Sequence, residues 1–168
     1  MKRKFLFLGL AMLASPRIFG QGEPVLRPEL SLLKPLVGKT WTATDTHPSG
    51  QMTLHFSLRL DPIHAGKVLR LHTVCEELRV ETDGYFYFDP DKKEITFLWL
   101  TSNGNITVGK VVEDQGKILL TGLAIFPDKK LEFRDIYEIG PNGAFTDRYF
   151  RLEDGKWQAG HSRTYKAK

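Results

Sequence analysis

From residue 39 onward, turn chemistry cuts the chain at short and regular intervals, which limits what it can fold into. The cuts fall at His47-Pro48-Ser49-Gly50, Asp61-Pro62 through Ala65-Gly66, Thr82-Asp83-Gly84, Pro90-Asp91-Lys92-Lys93 and Ser102-Asn103-Gly104. They continue at Asp114-Gln115-Gly116, Pro127-Asp128-Lys129, Gly140-Pro141-Asn142-Gly143 and Glu153-Asp154-Gly155. Asn103-Gly104 is the strongest hairpin signal, because both residues tolerate positive φ. The pieces between cuts are 39–46, 51–60, 67–80, 85–89, 94–100, 105–113, 117–126, 130–139, 144–152 and 156–166, which read as about ten strands. The second alternates cleanly, with Met52, Leu54, Phe56, Leu58 and Leu60 on one face and Thr53, His55, Ser57 and Arg59 on the other. That is the pattern of a half-buried antiparallel strand. Every connection is short enough for a hairpin, and no long crossover exists for a Greek key. A ten-stranded meander leaves two unpaired edges, and closing it removes both. The expected fold is an all-β, up-and-down antiparallel barrel with room inside for a small ligand.

The region before the strands divides in two. Lys2, Arg3 and Lys4 precede an apolar run over 5–14, too short for the roughly 20 apolar residues of a membrane-spanning helix. A positive start, short apolar core and small residues afterwards predict a secretory signal peptide over 1–20. The protein is then exported, periplasmic or secreted, with no transmembrane segment in its mature chain. Residues 21–37 form an N-terminal segment with the only candidate helix, over 23–34. There Pro28 suits a first turn, Leu30, Leu33 and Val37 make an apolar stripe, and Pro35 and Gly38 stop it. Residues 38–168 form the barrel domain. The whole net charge of +4 resides in Lys2, Arg3, Lys4 and Arg17, so the mature chain is near neutral and has no basic run to track phosphates. No nucleic-acid partner is expected. Cys75 is the only cysteine, which rules out an intramolecular disulfide, and its apolar strand context suggests a buried, inert thiol.

Leu36-Val37-Gly38-Lys39-Thr40-Trp41 resembles the start of lipocalin-superfamily (calycin) barrels, with a glycine–tryptophan spacing one residue longer than usual. The resemblance implies that Trp41 plugs one barrel end and the preceding short helix caps it. Gly84-Tyr85-Phe86-Tyr87-Phe88-Asp89, Trp99 with Ser102-Asn103-Gly104, Asp154-Gly155-Lys156-Trp157 and Arg163-Thr164-Tyr165-Lys166 are similar to an exported bacterial family known only as a lipocalin-like domain of unknown function. Arg163-Thr164-Tyr165 also resembles the arginine-x-tyrosine pair by which fatty-acid-binding proteins hold a ligand carboxylate. Arginine's planar fork suits that task. The helical lid of those proteins has no counterpart in the short 47–50 connection. Ten-stranded nitrobindin-like barrels bind haem through a late histidine, a role for which His161 is the candidate.

Alternation in the final strand puts Trp157, Ala159, His161, Arg163 and Tyr165 on one face. The preceding strands offer Phe145, Asp147, Tyr149 and Arg151, then Leu131, Phe133, Asp135, Tyr137 and Ile139. The candidate ligand site therefore combines a wall of Phe56, Leu58, Phe97, Trp99, Phe133, Tyr137, Tyr149 and Trp157 with a polar end at His161, Arg163 and Tyr165. Asp135 or Asp147 would balance Arg163, because a lone buried charge is costly. The expected partner is a small hydrophobic or amphipathic molecule, with haem as an alternative cofactor. Other readings of the same residues are a structural salt bridge without ligand, or an enzyme pairing Asp135 or Asp147 with His161 as acid and base. A one-residue bulge would instead turn Arg163 outward. His47, His55, His64, His72 and His161 show no zinc-site spacing, so no metal site is expected. His72 and Glu76 share a face with Arg70 and Val74, which reads as a solvated charged surface or equally as an acid–base pair. No nucleophile elbow, phosphate loop or paired-cysteine motif is present, and no catalytic residue is assigned.

Overall fold

The computed structural model describes residues 25–168. The signal segment expected over 1–20 lies outside the described residues, as do residues 21–24. Among the described residues ten strands follow one short helix: β1 (Thr40–Thr46), β2 (Thr53–Ile63), β3 (Val68–Cys75), β4 (Val80–Asp89), β5 (Glu94–Thr101), β6 (Ile106–Asp114), β7 (Lys117–Ile125), β8 (Lys130–Ile139), β9 (Phe145–Glu153) and β10 (Lys156–Ala167). Each pairs antiparallel with its sequence neighbours, and β1 meets β10, so the sheet closes as β1-β10-β9-β8-β7-β6-β5-β4-β3-β2. The expected architecture, a closed antiparallel barrel with one short N-terminal helix, is the one observed.

The helix differs in kind from the expectation. It is a 3-10 helix over Pro28–Leu36, and it runs through Pro35 instead of stopping there. Its buried residues are Leu30, Leu33 and Leu36, spaced by three, as a helix of three residues per turn requires. Leu36 thus takes the core position assigned above to Val37, which is extended and bridges Leu60. The three leucines are at most 1% exposed. Burying each stabilises the fold by roughly 1.5–3 kcal/mol.

The segment 67–80 is not one strand. A turn over 76–79 divides it, closed by the Arg79 N–H donating to Glu76 O at 3.0 Å, with Arg79 at φ 52°. The Thr82-Asp83-Gly84 stretch, read above as a turn, lies in mid-β4. Gly84 pairs with Trp99 across the β4–β5 ladder, and a Cβ there would overlap the indole. The glycine accommodates a ring rather than a turn.

A β-bulge changes the phase of β10. Trp157 pairs with Leu152 and Ala159 with Phe150; beyond the bulge, Ser162 pairs with Arg148 and Arg163 with Asp147. Two residues, Gly160 and His161, therefore oppose the single residue Tyr149, and a Cβ on Gly160 would collide with the Tyr149 ring. Arg163 and Tyr165 keep the inner face, while Trp157 lies on the outer wall, 40% exposed. There the Arg134 guanidinium sits 4.6 Å from the Trp157 ring and 4.8 Å from the Phe150 ring. Trp157 is thus removed from the interior wall proposed above.

Trp41 is buried at 1% exposure. Its indole N–H donates to Leu36 O at 2.9 Å and its ring meets Phe145 edge-on, with centroids 4.9 Å apart. The helix, Trp41 and the Val37–Leu60 bridge close the barrel end where β2 finishes and β3 begins.

Candidate functional site

The opposite end has a different composition. The inner faces of β8, β9 and β10 bring Asp135, Asp147 and His161 together, because Asp135 pairs with Tyr149, and Asp147 pairs with both Tyr137 and Arg163. Asp135 and Asp147 are only 5% and 7% exposed. His161 Nε2 lies 3.1 Å from Asp147 Oδ2. Its ring is stacked on Tyr149, with centroids 5.3 Å apart and planes 7° from parallel, so the bulge fixes the imidazole against a flat support. One ligand-type atom from each of Asp135, Asp147 and His161 lies within 4.8 Å of the other two. Asp135 Oδ1 and Asp147 Oδ1 are buried and, among the described residues, meet no N–H or hydroxyl donor.

Arg163 is held elsewhere. Its Nε donates to Asp45 Oδ2 at 3.1 Å, and its guanidinium lies 3.9 Å from the Phe56 ring centroid. Asp45 stands on β1 in phase with Trp41 and Ala43, so the ion pair spans the β1–β10 seam. That seam is short in backbone terms: Trp41 pairs with Ala167, Thr42 pairs with Lys166, and the Lys168 N–H donates to Thr40 O at 2.9 Å. The counter-ion of Arg163 is thus Asp45, not Asp135 or Asp147 as expected. Period-two alternation from Trp41 was the available signal for Asp45.

Burial, then the charge of Asp147 and a side-chain hydrogen bond to it, push the Asp135 carboxyl well above the usual carboxylate range, and Arg163 opposes this only in part. Tyr137 and Tyr165 are pushed up in the same way, by burial first and the nearby Asp147 next. The Tyr149 phenol is raised mainly by burial. These tyrosines therefore stay protonated and serve as neutral hydrogen-bonding groups.

These groups line an interior cavity of about 220 Å³ whose walls include Phe56, Leu58, Leu71, Thr73, Cys75, Thr82 and Trp99. The cavity reaches Asp135, Tyr137, Asp147, His161, Arg163 and Tyr165. Phe133 and Tyr149 stand behind it, stacked with centroids 5.9 Å apart, and Phe97 packs between Trp99 and Phe86. Trp99 Nε1 is buried without an acceptor. Cys75, 3% exposed, faces the cavity, with its thiol 3.7 Å from Glu77 Oε2. Larger hollows of about 540 and 520 Å³ lie on the outer wall, lined by outward side chains such as Lys110 and Leu123, or His55 and Lys166. The interior cavity is smaller than the roughly 300–1,000 Å³ of most ligand clefts.

No protein-family model matches the chain, and no curated protein matches it. What fold and site define is a closed ten-stranded antiparallel barrel with a small interior cavity, apolar along its wall and acidic at one end.

Proposed function

We propose that the protein is an exported, lipocalin-like barrel that binds one small amphipathic molecule in this cavity. The apolar part packs against Phe56, Leu58, Leu71 and Trp99, and the polar end meets the Asp135–Asp147–His161 group. One observation carries the reading: unpaired polar groups of both kinds line a single hollow. Among the described residues the Trp99 indole N–H meets no acceptor, and Asp135 Oδ1 and Asp147 Oδ1 meet no N–H or hydroxyl donor. Leaving a buried polar group unpaired costs roughly 1–3 kcal/mol, so a molecule with a complementary donor and acceptor relieves several such costs at once. Size narrows the class. A cavity of about 150 Å³ holds benzene, so one of about 220 Å³ suits a single ring or short branched chain better than a long acyl chain. With Arg163 held by Asp45, the polar end favours a ligand that donates hydrogen bonds.

The test has two arms. Native mass spectrometry of protein purified from its own cell envelope should show a small co-purifying mass. Ligand-observed NMR with a library of small amphipathic fragments, run in EDTA, should find binders that Thr73→Phe weakens at least about tenfold (~1.4 kcal/mol,) by filling the hollow. The variant's circular dichroism and melting should stay those of a folded barrel. Finding no binder, or binders indifferent to a filled cavity, would reject the reading.

A further inference from the structure

We infer that Asp135, Asp147 and His161 together hold one first-row divalent cation, of the Zn²⁺, Mn²⁺, Fe²⁺ or Co²⁺ class, at the acidic end of the cavity. The inference goes beyond the binding of an organic ligand and does not rest on it.

The donor set is the first support. Two carboxylate oxygens and one imidazole nitrogen lie within 4.8 Å of one another. Bond lengths of roughly 2.0–2.2 Å put opposite ligands of one ion about 4.2 Å apart. Small side-chain rotations therefore bring the three atoms onto one ion without moving a strand. An imidazole in the set favours first-row transition cations and zinc over calcium, which takes six to eight oxygens.

Pairing is the second support. Both residues are more than nine-tenths buried, yet among the described residues Asp135 Oδ1 and Asp147 Oδ1 meet no N–H or hydroxyl donor. When both are ionised they are acceptors only, and neither then satisfies the other. A cation binds both at once.

Charge is the third. Asp45, Asp135 and Asp147 face the single guanidinium of Arg163, and Asp45 occupies it at 3.1 Å. When both are ionised, the remaining two carboxylates carry the charge that one dication neutralises, and buried charge is retained only when paired or ligated.

Rigidity is the fourth. The ligands come from three adjacent strands. The imidazole is fixed by the Gly160–His161 bulge and by stacking on Tyr149. Three protein ligands leave coordination positions open, and these face the cavity.

The test is a Co²⁺ titration of the untagged chain after EDTA treatment, followed by visible absorption and by proton NMR. Expected is one equivalent bound, with ligand-field bands and a strongly shifted imidazole resonance. Asp147→Asn and His161→Gln should each weaken binding at least about tenfold, and His161→Gln should also remove the shifted resonance. His55→Ala, which alters an exposed histidine paired with Glu77 on the outer wall, should change nothing. His161 is partly exposed, so His161→Gln decides the matter even if Asp147→Asn misfolds. No binding at millimolar Co²⁺, or binding that His161→Gln leaves intact, overturns the inference. Fragment binding in EDTA reads the organic ligand separately, so either idea can fail alone.

Discussion

Trp41 and Trp99 occupy opposite ends of the barrel interior, and their indole N–H groups fare differently. Trp41, at the helix-capped end, is 1% exposed and donates to Leu36 O at 2.9 Å. Trp99, at the acidic end, is half-buried, needs Gly84 beneath it, and has no acceptor. The capped end surrounds its tryptophan with Leu30, Leu33, Leu36 and Phe145, while the acidic end gathers carboxylates, an imidazole and a guanidinium around a hollow. The difference separates tasks. Closed packing with every indole atom used contributes stability, whereas groups left without partners are costly to the free protein, a cost that the proposed ligand would offset.

Removing the plug tests that division most severely. Trp41→Ala should cost about 3–5 kcal/mol in denaturant unfolding, the usual loss for a large buried aromatic, and leave fragment affinity per folded molecule unchanged. A loss below about 1 kcal/mol would mean that the capped end is not where stability resides. Arg163→Ala should cost about 2 kcal/mol, between the values for surface and buried pairs. It removes the Asp45 contact across the seam and the packing on Phe56. Here the acidic end does serve stability, through one link. A change within about 0.5 kcal/mol, typical of an ordinary surface site, would show that the backbone alone closes the seam.

The capped end was the more legible of the two. Strand number and order followed from turn chemistry, and Trp41 from its place after Gly38. The 76–79 turn left no signal, because Glu76, Glu77, Leu78 and Arg79 include no glycine, proline or asparagine and Arg79 itself adopts positive φ. Gly84 misled for the opposite reason: it is a glycine demanded by the Trp99 ring inside a strand. The helix was read with α spacing, although Leu30, Leu33 and Leu36 carry the threefold period. In β10, alternation counted back from Tyr165 reaches Arg163 and His161 correctly. Counted forward from Trp157 it fails, because the bulge at Gly160 and His161 inverts the phase. Asp135, Asp147 and His161 were each visible as candidates. Their convergence was not, since it depends on registers across three strands that no local pattern encodes.

Asp135→Asn sharpens the comparison at its polar end. The amide keeps the side-chain shape, removes one of two adjacent buried acids and supplies a donor toward Asp147. Stability should therefore be unchanged or rise by about 1 kcal/mol, as when buried charge is replaced without loss of packing, while Co²⁺ binding falls. A drop above about 1 kcal/mol would show that the carboxylate is structural.

The smallest expected effect lies on the outer wall. Glu77 accepts from the His55 backbone N–H at 3.0 Å and its other oxygen meets His55 Nδ1 at 2.6 Å. The backbone hydrogen bond first, and the side-chain bond next, lower its pKa from 4.5 to about 2. A carboxyl whose folded pKa lies below its unfolded one contributes its full stability above the unfolded value and loses it as pH falls through the folded one. The contribution is therefore complete above pH 4.5, declines below it, and is gone near pH 2. Being exposed and screened by water, it should be small. Urea midpoints of wild type and Glu77→Gln should converge across that interval, and a side-chain carboxyl NMR titration should place the Glu77 midpoint near 2. Parallel acid limbs would show that this bond does not set acid stability. A midpoint close to 4.5 would show that the His55–Glu77 contact is not maintained in solution.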